Sequence, residues 1–473
     1  MATSYDQIAY PSQAFRQTHP RRLAAMAQLL GRPAAPIGTC RVLDVGGGDG
    51  ANIIPMAYAH PQARFVGLDL SAEAVRRGQA AVADLGLTNV ELIHGDIMEA
   101  DFGPDAFDYI IAHGVYAWVP APVREALLGL IRRSLAPNGV GFVSYNAFPG
   151  CHIRIAVRDL LLHAVRHATD PAVRLEAAIA KLREIADTYR KDEMFSALLV
   201  YHANRLLERS PAVLAHDELG EVYDPLHLHE FIATLEAHKL AFLTEADGDE
   251  SGQGFLPPEA LDRADFDLIG HLQDLDFQGC RSFRQALVVH ADPPIDRRPQ
   301  PDRVLEMHVA GSIRQEDDGT FVSGTTQFKP TDAKVHEAVV RIANAWPASV
   351  PVVELIGSDV ERAAVLLRMS WAGLVELQSE PSGFITAGER PVASAVARRQ
   401  AALDERRLTA LNHAIVEVED AFSRSFIAGL DGARTRDQIA ADMAPKLGVD
   451  AAAARVQIDR QLETIARMPL LVG

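Results

Sequence analysis

Cysteine is close to missing from this chain. Its three residues, Cys40, Cys151 and Cys280, are odd in number and lack C-x-x-C spacing, so neither a disulfide framework nor a cysteine zinc site is built on them. Positive charge is also short: 46 Lys and Arg stand against 63 Asp and Glu, a net charge of −17, and no long Lys/Arg block occurs. That balance argues against affinity resting on many phosphate contacts, so no nucleic-acid partner is expected. Long hydrophobic runs are lacking too. Nothing approaches the roughly 20 uninterrupted apolar residues that span a bilayer, and the opening MATSYDQIAYPSQAF has neither the charged nor the apolar region of a signal peptide. A cytoplasmic protein without membrane insertion is the expectation. Internal repeats and low-complexity tracts are absent as well.

What is present is a globular composition, 48% apolar and 23% charged over 473 residues, long enough for two to three domains. From residue 41 short apolar runs alternate with helical patterns. Residues 41–45, 64–69, 90–94, 107–112 and 140–145 read as buried strands; 51–60, 71–86 and 120–136 read as helices. Repeated β-α-β units with right-handed crossovers predict an α/β, doubly wound, Rossmann-like domain whose ligand lies beyond the carboxyl ends of its strands. After Gly150 the strands stop and 151–238 is helix-rich. Strand patterns at 239–246 and 282–290 return to complete the first sheet. The predicted organisation is therefore a ligand-binding domain from 1–150 and 239–292, a helical insertion at 151–238, a Pro- and charge-rich boundary at 290–303, and a mixed, mainly helical domain at 304–473.

The stretch VLDVGGGDGANIIP, residues 42–55, fits two templates. Gly46, Gly48 and Ala51 satisfy the dinucleotide fingerprint, whereas Gly46, Gly48 and Gly50 behind Asp44 match the pattern of S-adenosylmethionine (SAM) sites. Both leave a helix amino terminus facing the ligand, and both use an acid such as Asp69, at the end of the second strand, for ribose hydroxyls. Asp44 decides between them. A carboxylate at the mouth of the first strand repels a pyrophosphate and attracts a cationic ligand in a partly dry cleft. Asp96, at the end of the third strand, adds an acceptor for an adenine amino group. Alone, it would more simply be a turn cap. Three acids at the ends of three consecutive strands around a glycine loop point jointly to SAM, and Asn52, Leu70, Ile97 and His113 join the candidate cofactor contacts.

With these residues the sequence resembles a known family. YPSQAFRQTHP (10–20), the glycine loop with ANIIPMA (51–57), FVGLDLS (65–71), FDYIIAHGVYAWVP (107–120), VSYNAFPG (143–150), LHLHEF (226–231), RSFRQALVVH (281–290) and, more weakly, LDGARTRD (430–437) resemble the class I SAM-dependent methyltransferases that carry a methyltransferase regulatory domain. That family includes the rickettsial protein lysine methyltransferases. The resemblance covers nearly the whole chain. It implies a SAM domain interrupted by a helical regulatory or dimerisation segment, a further carboxyl-terminal domain, and methyl transfer to protein lysine. Two departures from the family pattern stand out: Asp44 and Gly47 replace its usual glutamate and cysteine, and Cys151 replaces the Trp that follows its Tyr-Pro-Gly.

On the acceptor side, an amine must arrive unprotonated although free lysine has a pKa of roughly 10.4, so a narrow aromatic channel that desolvates it is expected. His113, Tyr116 and Trp118 in the loop after the fourth strand, and Tyr145 and Asn146 after the fifth, are the candidates. Each has a plainer account: core packing for the aromatics, a loop hydrogen bond for His113, a turn for Asn146. The segment from Tyr5 to Pro20 precedes the first helix and is expected to form a lid, with Ser12 and Thr18 as cofactor contacts. His227 and His229 form an H-x-H pair with no further ligand cluster. A zinc site would need an extended backbone to point both rings the same way, and on a helix they would face opposite sides; structural histidines at a helix start are the reading, and no metal is expected. Apolar positions on the insertion, Leu160, Leu161 and Val165 or Leu198, Leu199 and Leu206, need cover from either the carboxyl-terminal domain or a second subunit, and a homodimer through the insertion is the expectation. The alternatives to a protein-lysine enzyme are a small-molecule methyltransferase and a SAM-binding scaffold without catalysis.

Overall fold

In the computed structural model the residues described are 8–247, 263, 266–293, 295–383 and 385–473. Seven strands make one sheet: β1 (Arg41–Val45), β2 (Arg64–Asp69), β3 (Val90–His94), β4 (Phe107–Ala112), β5 (Leu135–Asn146), β6 (Leu240–Glu245) and β7 (Phe283–His290). Their order is β3-β2-β1-β4-β5-β7-β6. The first five are parallel, and β7 runs antiparallel between β5 and β6. Strands such as β1 and β2 are apolar almost end to end because both faces of a parallel sheet are covered, and each shows only its first residue exposed. Separate apolar clusters fill the two faces, one around Leu43, Ile110 and Tyr145, the other around Val42, Phe65 and Phe142.

Four helices flank the parallel strands: α1 (Pro20–Leu29), α2 (Ile53–Ala59), α3 (Ala72–Asp84) and α4 (Ala121–Ser134). Local chemistry starts them where it should. Pro20 occupies the first helical position, whose N–H has no intrahelical partner anyway, and the Ser71 hydroxyl caps α3 by accepting from the Ala74 N–H at 3.1 Å.

The insertion holds α5 (Cys151–Ala164), α6 (Pro171–Thr188) and α7 (Met194–Leu207). It has its own core of Val157, Leu161, Leu182, Ile185, Ala203 and Leu206. This corrects the expected apolar faces. Leu161, Val165, Leu199 and Leu206 are buried and Leu160 is half-buried, because the three helices cover one another; Leu198 alone of the six stays exposed. The outward apolar face instead runs along α7 through Met194, Phe195, Leu198 and Tyr201. Helices α8 (Leu228–Ala237) and α9 (Leu268–Gly279) then flank β6.

Beyond residue 300 the single mainly helical domain expected from the sequence proves to have two cores. One gathers Val309, Phe321, Val339 and Leu366; the other gathers Leu408, Phe426, Ile458 and Leu471. Helix α1 belongs to two bodies at once. Leu23, Ala24, Ala27 and Leu30 pack on the main sheet, while Ala25 and Leu29 enter the first of these later cores. Among the described residues no helix is long and apolar enough to cross a membrane.

Candidate active site

The carboxyl ends of β1 to β5 converge where the strand order reverses between β1 and β4, the place where an open α/β sheet leaves a crevice. Directly after β1, Gly46 has φ +72°, and a Cβ there would lie 2.5 Å from the Val115 methyl. Only glycine fits that backbone in that space. The Gly46 N–H donates to the Leu68 carbonyl at 2.7 Å. Asp69 holds the next turn: its Oδ2 accepts from the Gly48 N–H at 2.8 Å and its Oδ1 from the Ser71 N–H at 2.7 Å. Ser12 Oγ sits 3.2 Å from where a Cβ on Gly48 would be, which lays the amino-terminal segment over the glycine loop. The first part of the expected lid, through Gln7, lies outside the described residues.

Beneath the loop Asp44 is 3% exposed. Burial pushes its pKa up to about 7, against the Asn52 hydrogen bond that lowers it and with a smaller upward push from Asp69. Its neighbour Asn52 has every polar atom of its amide engaged. Nδ2 donates to Asp44 Oδ2 at 3.3 Å and to Thr18 Oγ1 at 3.1 Å, while Oδ1 accepts from the Phe15 N–H at 3.0 Å. The Thr18 hydroxyl in turn donates to the Phe15 carbonyl at 2.8 Å. The amino-terminal strap is thus latched to the glycine loop through Asn52 and Thr18.

At the adjacent strand ends Asp96 Oδ1 accepts from the Met98 N–H at 2.9 Å, the turn cap that the plain reading described. Leu70 and Met98 are 54% and 52% exposed beside these acids, and Ile97 is half-buried against the core. Exposed apolar side chains at two neighbouring strand ends are what a flat heteroaromatic ring would cover. Met98 was not recognised from sequence, since a lone Met after an Asp carries no distinguishing pattern.

At the carboxyl ends of β4 and β5 His113 Nδ1 is 2.9 Å from Ser144 Oγ, which also accepts from the Gly114 N–H at 2.8 Å. Its ring lies 4.1 Å from that of Phe15, and burial lowers its pKa to about 4, so it is neutral. The expected aromatic channel of Tyr116 and Tyr145 is not formed by their rings. Both are 1% exposed and packed with Phe231 of α8. The Tyr145 hydroxyl and Asn146 Oδ1 are nonetheless buried without a hydrogen-bond partner. Trp118 is half-buried against Tyr223 at 4.8 Å, with the Arg154 guanidinium of α5 over both rings at 5.0 and 4.9 Å. Arg154 also pairs with Glu218 at 2.5 Å, so the insertion supplies a charged wall to this loop. Cys151 is buried and donates to the Ser282 carbonyl at 3.2 Å.

His227 and His229 lie at a helix start, as structural histidines would. Their rings stack at 5.4 Å, because His227 is the extended residue that caps α8 and the opposite-face spacing of a helix does not apply to it. Among the described residues no group of three or more His, Cys, Asp or Glu could hold a metal ion.

Known proteins resemble this arrangement. Residues 42–139 match a methyltransferase domain, 210–290 a predicted methyltransferase regulatory domain, and 389–467 a "PKMT, C-terminal winged helix domain". An uncharacterized protein of Rickettsia prowazekii is 30% identical over 315 residues, 66% of this chain and 57% of its own length. A second from that organism is 30% identical over 230 residues, 48% of this chain and 92% of its own. Among solved structures PKMT2 from Rickettsia typhi in complex with AdoHcy superposes with a TM-score of 0.84 at 23% identity, covering 98% of this chain and 100% of that one.

Proposed function

We propose that this chain, which belongs to the class I SAM-dependent methyltransferases carrying a methyltransferase regulatory domain, transfers the methyl group of SAM to lysine side chains of polypeptides. The observation that carries the cofactor half is Asp44, a carboxylate buried under a glycine cradle with its pKa raised to about 7. A carboxylate so placed is short of a cation. When bound, SAM supplies both a cationic methionine portion and an activated methyl group. Gly46 and Gly48 let backbone approach it, Asp44 faces its positive end, and Asp69 accepts from the ribose. Asp96, Leu70 and Ile97 hold the adenine, while Ser12 and Thr18 belong to the strap above.

For the acceptor half, the names of PKMT2 and of the winged-helix family support protein lysine, as does the net charge of −17, which favours cationic polypeptide over nucleic acid. Methyl displacement is in-line, so the chain's task is to orient an uncharged amine and exclude water. In this reading Asn146 and Tyr145, the latter buried in the core, would accept from the amine. Trp118 and neutral His113 complete the wall, and Tyr116 supports Tyr145 from the core. The exposed α7 face favours a homodimer. Incubation with methyl-labelled SAM and a bacterial extract tests the whole reading. Label on polypeptide lysine is expected, with none from Gly46→Arg; label only on small molecules or RNA, or none at all, overturns it.

A further inference from the structure

His413 lies in a turn between two short strands, Arg407–Thr409 and Ile415–Glu417, of the last core. Its backbone has φ +68°, a region uncommon for any residue with a Cβ. The turn is closed by the Ala410 N–H on the Ala414 carbonyl at 2.9 Å and the His413 N–H on the Ala410 carbonyl at 2.9 Å. The Leu411 N–H ties it to the Pro469 carbonyl at 2.9 Å. Residues persist in such a conformation when their surroundings determine it. Here the imidazole, 2% exposed, crosses to the main domain and sets Nε2 3.0 Å from Asn52 Oδ1.

The hydrogen-bond accounting fixes the protons. A backbone N–H can only donate, so Phe15 identifies Oδ1 as the acceptor end of the Asn52 amide, and His413 must then present Nε2–H. Burial, with Arg21 and His60 nearby, lowers the pKa of His413 to about 3, which keeps it the neutral donor. His19 packs on the other side, 5.3 Å between ring centres. Removing His413 would leave one lone pair of Asn52 buried and unmet, and would free the amide to turn away from Asp44 and Thr18.

We infer that His413 is a positioning residue for the cofactor site: supplied by the carboxyl-terminal body, it locks Asn52, and through Asn52 the Asp44 carboxylate and the amino-terminal strap. This rests on the reading that Asp44 faces SAM. By linkage, seating the carboxyl-terminal body tightens cofactor binding, and cofactor binding seats that body.

Titrating S-adenosylhomocysteine by calorimetry into the full chain tests it. His413→Ala should weaken binding about tenfold, the loss expected when one buried hydrogen bond is broken. His413→Gln, whose amide N–H reaches the same point, should recover most of that. Leu430→Ala, which removes a buried side chain of the same core with no tie to Asn52, should lower the melting temperature yet leave affinity unchanged. Adding His413→Ala to Asn52→Ala should cost nothing more. Equal affinity of His413→Ala and the unaltered chain, or equal losses in His413→Ala and Leu430→Ala, overturns the inference alone. Failure of the unaltered chain to bind overturns the SAM reading itself. Independently of any variant's folding, nitrogen NMR of the unaltered protein should show His413 as the neutral Nε2–H tautomer from pH 5 to 8, and the Nδ1–H form would overturn the assignment.

Discussion

At the scale of the residue, Asp44 titrates where cells operate. With a pKa of about 7 before ligand binds, only about a tenth of the population carries the negative charge at pH 6. SAM affinity should therefore rise roughly tenfold from pH 6 to 8, with a proton released on binding, measurable by calorimetry in buffers of different ionisation enthalpy. Asp44→Asn should bind weakly with no such slope. Stability of the ligand-free protein runs the opposite way. The folded state holds this proton between the ordinary carboxylate pKa and about 7, so Asp44's contribution falls as pH rises through that window. A companion test concerns Asp69, whose carboxylate holds the Gly48 and Ser71 N–H groups. Asp69→Ala should abolish detectable SAM binding while the chain remains folded by circular dichroism. Both acids were legible in the sequence because charge at the end of an apolar strand has few other reasons to be there. The role of Asn52 was not, since its partners at Phe15 and His413 lie 37 and 361 residues away.

At the scale of the element, the strands were legible because a parallel strand covered on both faces is an apolar run. β5 began earlier than expected, at Leu135, since Pro137-Asn138-Gly139 spells a turn while its neighbours keep pairing with β4 across a bulge. Helix α5 carries the buried Arg158 on its apolar side, a charge that the sequence pattern alone would place outside and that the structure satisfies by donation to the Gly220 carbonyl at 2.8 Å. The edge of the sheet hides another polar core that pattern alone missed. On β7, Arg284 is 1% exposed and forks onto Asp276 of α9 at 2.8 and 2.9 Å, while also pairing with Glu245 of β6. Arg284→Met strands two buried carboxylates. It should cost about 3–5 kcal/mol in urea denaturation; a loss under about 1 kcal/mol would show that the pair is replaceable by packing.

At the scale of the whole molecule, the insertion leaves Met194, Phe195, Leu198 and Tyr201 on one face of α7, with Met194 84% exposed. Isolated apolar residues at a surface are ordinary, but four at helical spacing make a patch that solvent does not favour. Light scattering should report a dimer for the unaltered chain and a monomer for Leu198→Glu with Tyr201→Glu; a monomer for both would remove the dimer. Which apolar faces remain outside was not readable from sequence, because α5, α6 and α7 hide most of them from one another, and the division of the last 170 or so residues into two cores follows from contacts rather than from any linker signal.

The latch between Asn52 and His413 also carries a consequence in time. A ribosome emits the glycine loop and the strap 361 residues before the side chain that completes them, a delay of about 20 to 70 s at roughly 5–20 residues per second. Helix α1 waits as well, since Ala25 and Leu29 have no core to enter until residues beyond 300 appear. A nascent or prematurely ended polypeptide would thus hold a formed sheet with a slack pocket, and would compete only weakly for the cell's SAM until the last domain had docked.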